Sequence, residues 1–557
     1  MICHCDPANG GRSNLTFMPT EEIRKFLKGD VIDDSTTRQK YSRDASLFEI
    51  TPKAVIFPKD AEDIQNLVKF ASSKPGVSLT ARSGGTDMTG GPLTESLVLE
   101  FDKYFNQVKE VGDGYAITQP GVYYRDFEKE TMKTGQIMPS YPASREICAI
   151  GGMVANDSGG EKSLVYGKTH DYVQELKVVF ADGKEYEVKK LSKAELNKKK
   201  RQQNFEGEIY KKIYDLVTDN EELLKASKPQ VSKNSSGYNL WDVWDGENFD
   251  LTRLIVGSQG TLGLVTEVKF KLVPKKKHTG MLVVFMKDLG ILGDFVNVVL
   301  PFQPGSFESF DDATLKLALK FFPGFLKQMG AKNLFSLGLS FLPEVWTILT
   351  YGMPKLVCLI EFEEDTREEV DRKLKELNAA LAKFKVKTKI AATENESRKY
   401  WLIRRESFNL LRHKVAGKQT APFIDDVIVK PEYLPEFLPK LHAITDKYRL
   451  LNTIAGHVGN GNFHIIPLMV LSNEEDRKKI PACLDEVINL ILEYKGSITA
   501  EHNDGLIRSP YLPKMFGAEM YGIFEEVKKI FDPKNIFNPG KKVGASLDYA
   551  FKHMKRG

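Results

Sequence analysis

Residues 77–91 read VSLTARSGGTDMTGG, a short apolar run that opens straight into a turn carrying Gly84, Gly85, Gly90 and Gly91. Val77 to Ala81 has the composition of a strand. The glycines that follow let consecutive backbone N–H groups turn toward one anion, and Ser83, Thr86 and Thr89 add hydroxyl donors. Upstream, Ala54 to Phe57 reads as a strand, and Asp60 as the cap of a helix whose apolar positions Ile64, Leu67, Val68 and Ala71 follow three-and-four spacing. Strand, helix, strand and glycine-rich turn predict a nucleotide-binding α/β or α+β unit. Neither a G-x-G-x-x-G opening a helix nor a G-K-[ST] is present, so this is not a Rossmann fingerprint or a P-loop.

Two further segments have the same character. The second runs from Tyr141 through Pro142, Ser144 and Ile147 to Gly151, Gly152, Asn156, Ser158, Gly159 and Gly160, with Tyr166 and Gly167 just beyond. Paired glycines around small residues describe backbone that passes close to something flat and extended. The third holds Gly257, Gly260, Gly263 and Val265.

In this order, the three segments resemble the flavin domain of the vanillyl-alcohol oxidase and p-cresol methylhydroxylase superfamily, over roughly residues 48–275. The resemblance implies FAD, with Arg82, Ser83, Gly84, Gly85, Thr86, Asp87 and Thr89 around the pyrophosphate. Pro142, Ser144, Ile147, Gly151, Gly152, Asn156, Ser158, Gly159, Tyr166, Gly257, Gly260, Gly263 and Val265 would line its adenine and flavin sides, with Asn538 joining them from far downstream. Members with covalent flavin often carry a histidine where this chain has Thr86, so non-covalent FAD is expected. Gln259 replaces a glutamate common in relatives, and a neutral amide can keep its hydrogen bonds.

With 557 residues the chain exceeds what one core organises, and its net charge of +4 selects neither nucleic acid nor an acidic partner. Its cysteines (Cys3, Cys5, Cys148, Cys358 and Cys483) form no disulfide framework, which fits a reducing compartment, and Cys3 and Cys5 are assigned no role. No C-x-x-C-x-x-C run occurs, so any iron–sulfur cluster is expected on another polypeptide. No stretch is apolar enough to span a membrane. The crowded run from Asn333 to Ile360 reads as core, or as a surface that meets a membrane or an electron acceptor.

Lys184 to Lys233 reads as a solvated helical insertion, and Leu254 to Val256 and Leu264 to Leu272 as strands, with a boundary at Pro274 to Lys277. Beyond it, strands at Met281 to Phe285 and Leu356 to Phe362 alternate with helices at Asp311 to Phe322 and Arg367 to Lys383. The fold class is therefore α+β: a two-part flavin-binding domain, then a substrate domain with an antiparallel sheet and a helical C-terminal segment. The expected division is a lead-in at 1–47, the FAD-binding domain at 48–275, the substrate domain at 276–543 and a tail at 544–557.

The sharpest local signal is Gly456, His457, Val458, Gly459, Asn460, Gly461, Asn462, Phe463, His464, followed by Glu501, His502. A glycine-rich turn between two strand ends could bring both imidazoles to one side. Two histidines and a carboxylate leave a divalent ion with open coordination positions, as a catalytic site requires. These motifs resemble the C-terminal FAD-linked oxidase domain of D-lactate, glycolate and D-2-hydroxyglutarate dehydrogenases, from about Met281 to Val543. Glu501 to Leu512 resembles the branch whose longer members carry a fused iron–sulfur domain.

The resemblance implies oxidation of a D-2-hydroxy acid, with hydride transfer to flavin N5. His457, His464 and Glu501 would hold zinc or manganese, His502 would be the general base, and Arg404 would hold the substrate carboxylate, with Arg405 adjacent. Ile424 stands where 2-hydroxyglutarate dehydrogenases have a lysine, and Asn503 where glycine is common. A quinone, an electron-transfer flavoprotein or a separate iron–sulfur subunit would take the electrons. A cytoplasmic protein is expected, with peripheral contact at the inner membrane left open. The rival readings are a metal-independent alcohol or sugar oxidase and a non-catalytic flavin electron-transfer subunit.

Overall fold

A computed structural model describes residues 20–320, 350–391, 393, 396–405 and 417–557. Asp60 caps the helix Ala61–Ser73 by accepting from the Asp63 N–H. Ile64, Leu67, Val68 and Ala71 all point into a core shared with the first sheet. That sheet comprises β1 (Asp30–Ile32), β2 (Ala54–Phe57), β3 (Leu79–Arg82) and β4 (Leu97–Glu100), in the order β1-β2-β4-β3. β2 and β3 run parallel to β4, the pairing that crossover connections impose.

The second sheet contains β5 (Val108–Gly112), β6 (Tyr115–Thr118), β8 (Val173–Val179), β9 (Glu185–Ser192), β10 (Asn248–Asp250) and β11 (Leu264–Lys271). It is antiparallel, in the order β10-β9-β8-β11-β6-β5. β7 (Gln136–Ile137) pairs with β12 (Val273–Pro274) beside it.

The third sheet is antiparallel and takes β13 (His278–Met286), β14 (Ser306–Asp311), β15 (Leu356–Glu364), β16 (Lys387–Ala391), β18 (Val427–Ile428), β19 (Ile454–His457) and β20 (Asn462–Ile465). Its order is β16-β13-β15-β14-β19-β20-β18, and β17 (Gln419–Thr420) pairs with β21 (Leu468–Met469) nearby. Strand periodicity divides its side chains between two cores. Cys358, Ile360 and Phe362 face one that includes the helix Arg367–Ala380, whereas Val357 and Leu359 face Phe310, Ala455 and Trp401. A helical segment at 396–405 covers this second face.

Three local expectations change. Leu254 and Ile255 belong to the helix Thr252–Ile255 and not to a strand. The charged stretch after Lys184 opens with β9, where Val188 and Leu191 alone turn fully inward while charged neighbours face water. The C-terminal helix Leu512–Phe531 returns to the second sheet's core through Met520, Phe524, Val527 and Phe531. Leu79 of β3 then receives a backbone bond from Asn538 N (2.9 Å) and gives one to Ile536 O (2.8 Å). The last stretch of chain thus packs on the first half. The helix expected at Asp311 to Phe322 is described over Asp312–Lys320. Residues 333–349 of the apolar run, with Cys3 and Cys5, lie outside the described residues. Among the described residues, no helix is long and apolar enough to cross a membrane.

Candidate functional site

The three glycine-rich segments converge. A Cβ on Gly84 would lie 2.8 Å from Ile147 O and 3.1 Å from Ala149 N, so the first segment is pressed backbone to backbone on the second. Asp87 braces the first loop from within: Oδ2 accepts from Thr89 N (2.9 Å), Thr89 Oγ1 (2.8 Å) and Gly91 N (2.8 Å). Its Oδ1 accepts from Asn156 Nδ2 at 2.8 Å. Gln259 joins all three segments, donating to Asn156 Oδ1 at 3.2 Å and to Thr89 Oγ1 at 3.5 Å, and it accepts from Gly505 N at 2.9 Å. Asn538 Nδ2 closes the set by donating to Gly91 O (3.0 Å) and Gln259 O (2.8 Å).

Other expected cofactor residues spread around this junction. Arg82 turns its guanidinium away, to Tyr41 O and Arg43 O. Pro142 O and Ser144 O accept backbone N–H bonds that fold the turn leading to Ile147, whose side chain is 57 % exposed. Ser158 O accepts from Thr169 N, and Tyr166 N donates to Lys162 O. Gly257 N donates to Val154 O. Gly263 packs on Val178 of β8, and Val265 lies in β11 opposite it. Ser83, Gly85, Thr86, Gly151 and Gly152 keep a partly exposed face. A Cβ on Gly152 would meet, among the described residues outside its own helix backbone, only Ser83 Oγ within 4 Å, at 3.5 Å. Small residues, hydroxyls and unobstructed backbone fit the phosphates and ring of FAD.

The second cluster is built on the β19–β20 hairpin. Its register sets Ala455 opposite His464 and His457 opposite Asn462, so both histidines face one side. Only glycine fits the turn at Gly461: its φ is +74°, and a Cβ would lie 1.9 Å from Val429 O. The imidazole centroids are 5.1 Å apart and nearly perpendicular. His457 Nδ1 is held by Glu308 Oε1 at 2.5 Å, and its Nε2 faces Glu501 Oε2 at 3.4 Å. His464 Nδ1 is 3.3 Å from Asp425 Oδ1. His502 stacks on His464 at 5.1 Å with its Nδ1 2.8 Å from Asp425 Oδ2.

Asp426, in left-handed backbone at φ 64°, fixes the opposite loop. Its Oδ2 accepts from Thr499 Oγ1 (2.6 Å) and from the N–H groups of Ala500 (2.9 Å), Glu501 (2.8 Å) and His502 (2.7 Å). Arg404 Nε donates to Glu308 Oε2 at 3.1 Å, so Arg404 and His457 share one buried carboxylate. Arg405 instead pairs with Glu161. Lys233 reaches in from the charged insertion to Glu501 and, at 3.1 Å, to Asn462 Oδ1. Gly159 ties the two clusters together, since a Cβ there would lie 2.9 Å from Glu501 Oε1.

This donor set fits a divalent cation. His457 and His464, the histidines expected as ligands, each have Nδ1 beside a buried carboxylate, which leaves Nε2 open, and Glu501 Oε2 faces the Nε2 of His457. Ligand atoms of Asp426, His464, Glu501 and His502 lie within 4.8 Å of one another, a grouping that takes in Asp426 and His502 but not His457. Burial works against the Glu501 carboxylate, yet Lys233 and His457 outweigh it and hold the group well below the usual range. Burial depresses His464 further than Asp425 can raise it. For His502, Asp426 and Asp425 outweigh burial and raise it to about 9, so near neutral pH the ring holds its proton unless a cation is bound beside it. A cation beside it would oppose that charge.

Glu308, Asp425, Asp426 and Lys233 were not expected from the sequence. The adjacent Asp425 and Asp426 and the K-N-S-S-G-Y run at Lys233 were the available signals.

Residues 52–189 match the family described as "FAD binding domain", and residues 279–542 match "FAD linked oxidases, C-terminal domain". The chain is 26% identical over 544 residues to a D-2-hydroxyglutarate dehydrogenase of Pseudomonas putida, covering 94% of this chain but only 52% of that protein. It thus spans about half the length of that relative. Glycolate oxidase subunit GlcD of Bacillus subtilis is 28% identical over 533 residues, with 94% and 96% covered. A D-lactate dehydrogenase of Archaeoglobus fulgidus is 26% identical over 491 residues, with 88% and 91% covered. Among solved structures, 4-ethylphenol oxidase from Gulosibacter chungangensis shares the fold, with a TM-score of 0.66, 16% identity, and 94% and 96% of the two chains covered.

Proposed function

Because the chain belongs to the FAD-linked oxidases, with an FAD binding domain and an oxidase C-terminal domain in one polypeptide, we propose that it oxidises a D-2-hydroxy acid to the 2-oxo acid. The convergence of His457, His464, Glu501 and His502, backed by buried carboxylates, carries this reading. When bound, FAD accepts the hydride from Cα, and a divalent cation held by His457, His464 and Glu501 lowers the pKa of the substrate hydroxyl.

Arg404 grips the substrate carboxylate, oriented by Glu308. His502 takes the hydroxyl proton on Nε2, since its Nδ1 faces Asp425. His457 and Glu501 are each only 5 % exposed, so their chemistry is screened from water. Ile424, 1 % exposed, offers no cation to a second carboxylate, which favours a monocarboxylic acid. Electrons then pass to a quinone, an electron-transfer flavoprotein or an iron–sulfur partner.

Anaerobic mixing of the FAD-loaded protein with glycolate, D-lactate, L-lactate and D-2-hydroxyglutarate tests the reading. One of the D-acids or glycolate should bleach the oxidised flavin, and L-lactate should not. Bleaching by simple alcohols or sugars but by no hydroxy acid would sink the proposal.

A further inference from the structure

We propose that Lys233, supplied by the flavin half, is a positioning residue that fixes which oxygen of Glu501 faces the cation site; this rests on the metal reading above. The Lys233 side chain is 1 % exposed. Burial this deep of an ammonium is sustained only by committed partners. Among the described residues, its Nζ donates to Glu501 Oε1 and to Asn462 Oδ1. With Oε1 taken, Glu501 presents Oε2 to His457 Nε2, 3.4 Å away.

The contact closes a ring around Glu501. Asn462 accepts from Lys233 through Oδ1 and donates through Nδ2 to Asp426 Oδ1 at 3.1 Å. Asp426 in turn holds the Glu501 backbone N–H at 2.8 Å. Glu501 is therefore gripped at its carboxylate by Lys233 and at its backbone by Asp426, with Asn462 joining the two grips. The segment that carries Lys233 is itself tied to the Glu501 loop. Ser235 N donates to Thr499 O at 3.1 Å, Ser235 Oγ to Ala500 O at 3.0 Å, and Gly237 N to Asp504 Oδ2 at 2.9 Å. A lysine placed there only to neutralise charge would not need this register.

The two roles predict opposite effects. Removing a mere counter-charge relieves repulsion of a cation and tightens its binding. Removing a partner that orients a ligand weakens binding, typically about 10–100-fold.

Cobalt(II) is titrated into FAD-loaded, metal-stripped protein, and its ligand-field absorption and affinity are read together. Lys233→Met should weaken cobalt binding about 10–100-fold and alter the spectrum while FAD is retained. Lys233→Arg should keep both close to wild type. Asn462→Ala, which spares the ion pair, should shift the spectrum in the same sense by less, and it supplies the reading should Lys233→Met fail to fold. An unchanged spectrum, or tighter binding, in Lys233→Met overturns the positioning role while leaving the metal site intact. A wild-type protein that binds no cobalt, or whose cobalt spectrum survives His457→Ala, overturns the metal reading and this inference with it.

Discussion

Replacing Arg404 with Met tests the substrate anchor against its neighbour Arg405. The Arg404 side chain is 14 % exposed and bonds Glu308, itself 1 % exposed, which also holds His457. Loss of a charged hydrogen-bond partner in such a desolvated place costs about 2–5 kcal/mol. At about 1.36 kcal/mol per decade, that is a fall of roughly 30- to 5,000-fold in kcat/KM. Arg405 is 42 % exposed where it pairs with Glu161, and an exposed pair is worth at most about 1 kcal/mol, or roughly fivefold. Arg404→Lys should recover little, because an ammonium cannot reproduce the planar fork. The assay is dye-linked turnover of the preferred hydroxy acid, with bound FAD measured in each variant. Normal turnover by Arg404→Met alongside a large loss in Arg405→Met would refute the assignment.

Three further outcomes are expected. With Thr86 in the first loop, acid precipitation should release intact FAD, and flavin retained by the polypeptide would show a covalent link. His502→Ala should keep FAD and metal while turnover falls about 10²–10⁴-fold, because proton transfer alone is touched; loss of metal content would instead make His502 a ligand. Burial pushes the Glu361 carboxyl up to about 7, against the Trp401 indole N–H that donates to it at 2.8 Å. Between about pH 4.5 and 7 the folded chain therefore binds a proton that the unfolded chain has lost, and stability falls as pH rises through that window. Glu361→Gln removes the loss, so its advantage in unfolding free energy, read from denaturant titrations, should be absent at pH 4 and amount to about 3 kcal/mol at pH 8; an equal advantage at both would exclude this origin.

Much of the fold was legible because its signals are local. The glycine-rich turn after Val77 to Ala81, the Asp60 cap and the His457 to His464 hairpin are each written within a few residues. Leu254 to Val256 misled because three apolar residues do not distinguish a helical turn from a strand. β9 was hidden by the glutamates and lysines on its solvent side. The site's supports were illegible for a different reason. Glu308 meets His457 across a separation of 149 residues, and Lys233 meets Glu501 across 268. No spacing rule connects such pairs, and a lysine in a charged insertion reads as solvated until its burial is known. The return of Leu512–Phe531 to the second sheet is likewise a packing result with no local trace.

The proposed chemistry depends on a divalent cation at His457, His464 and Glu501, and elemental analysis alongside turnover decides the matter. Wild-type protein should carry zinc or manganese in step with its FAD, and His464→Ala should lose metal and activity together, because two remaining protein ligands hold a labile ion poorly. Chelation should abolish turnover, and either metal should restore it. Full turnover of a hydroxy acid by protein shown to be free of metal would contradict the assignment and leave the two-histidine hairpin as a structural turn.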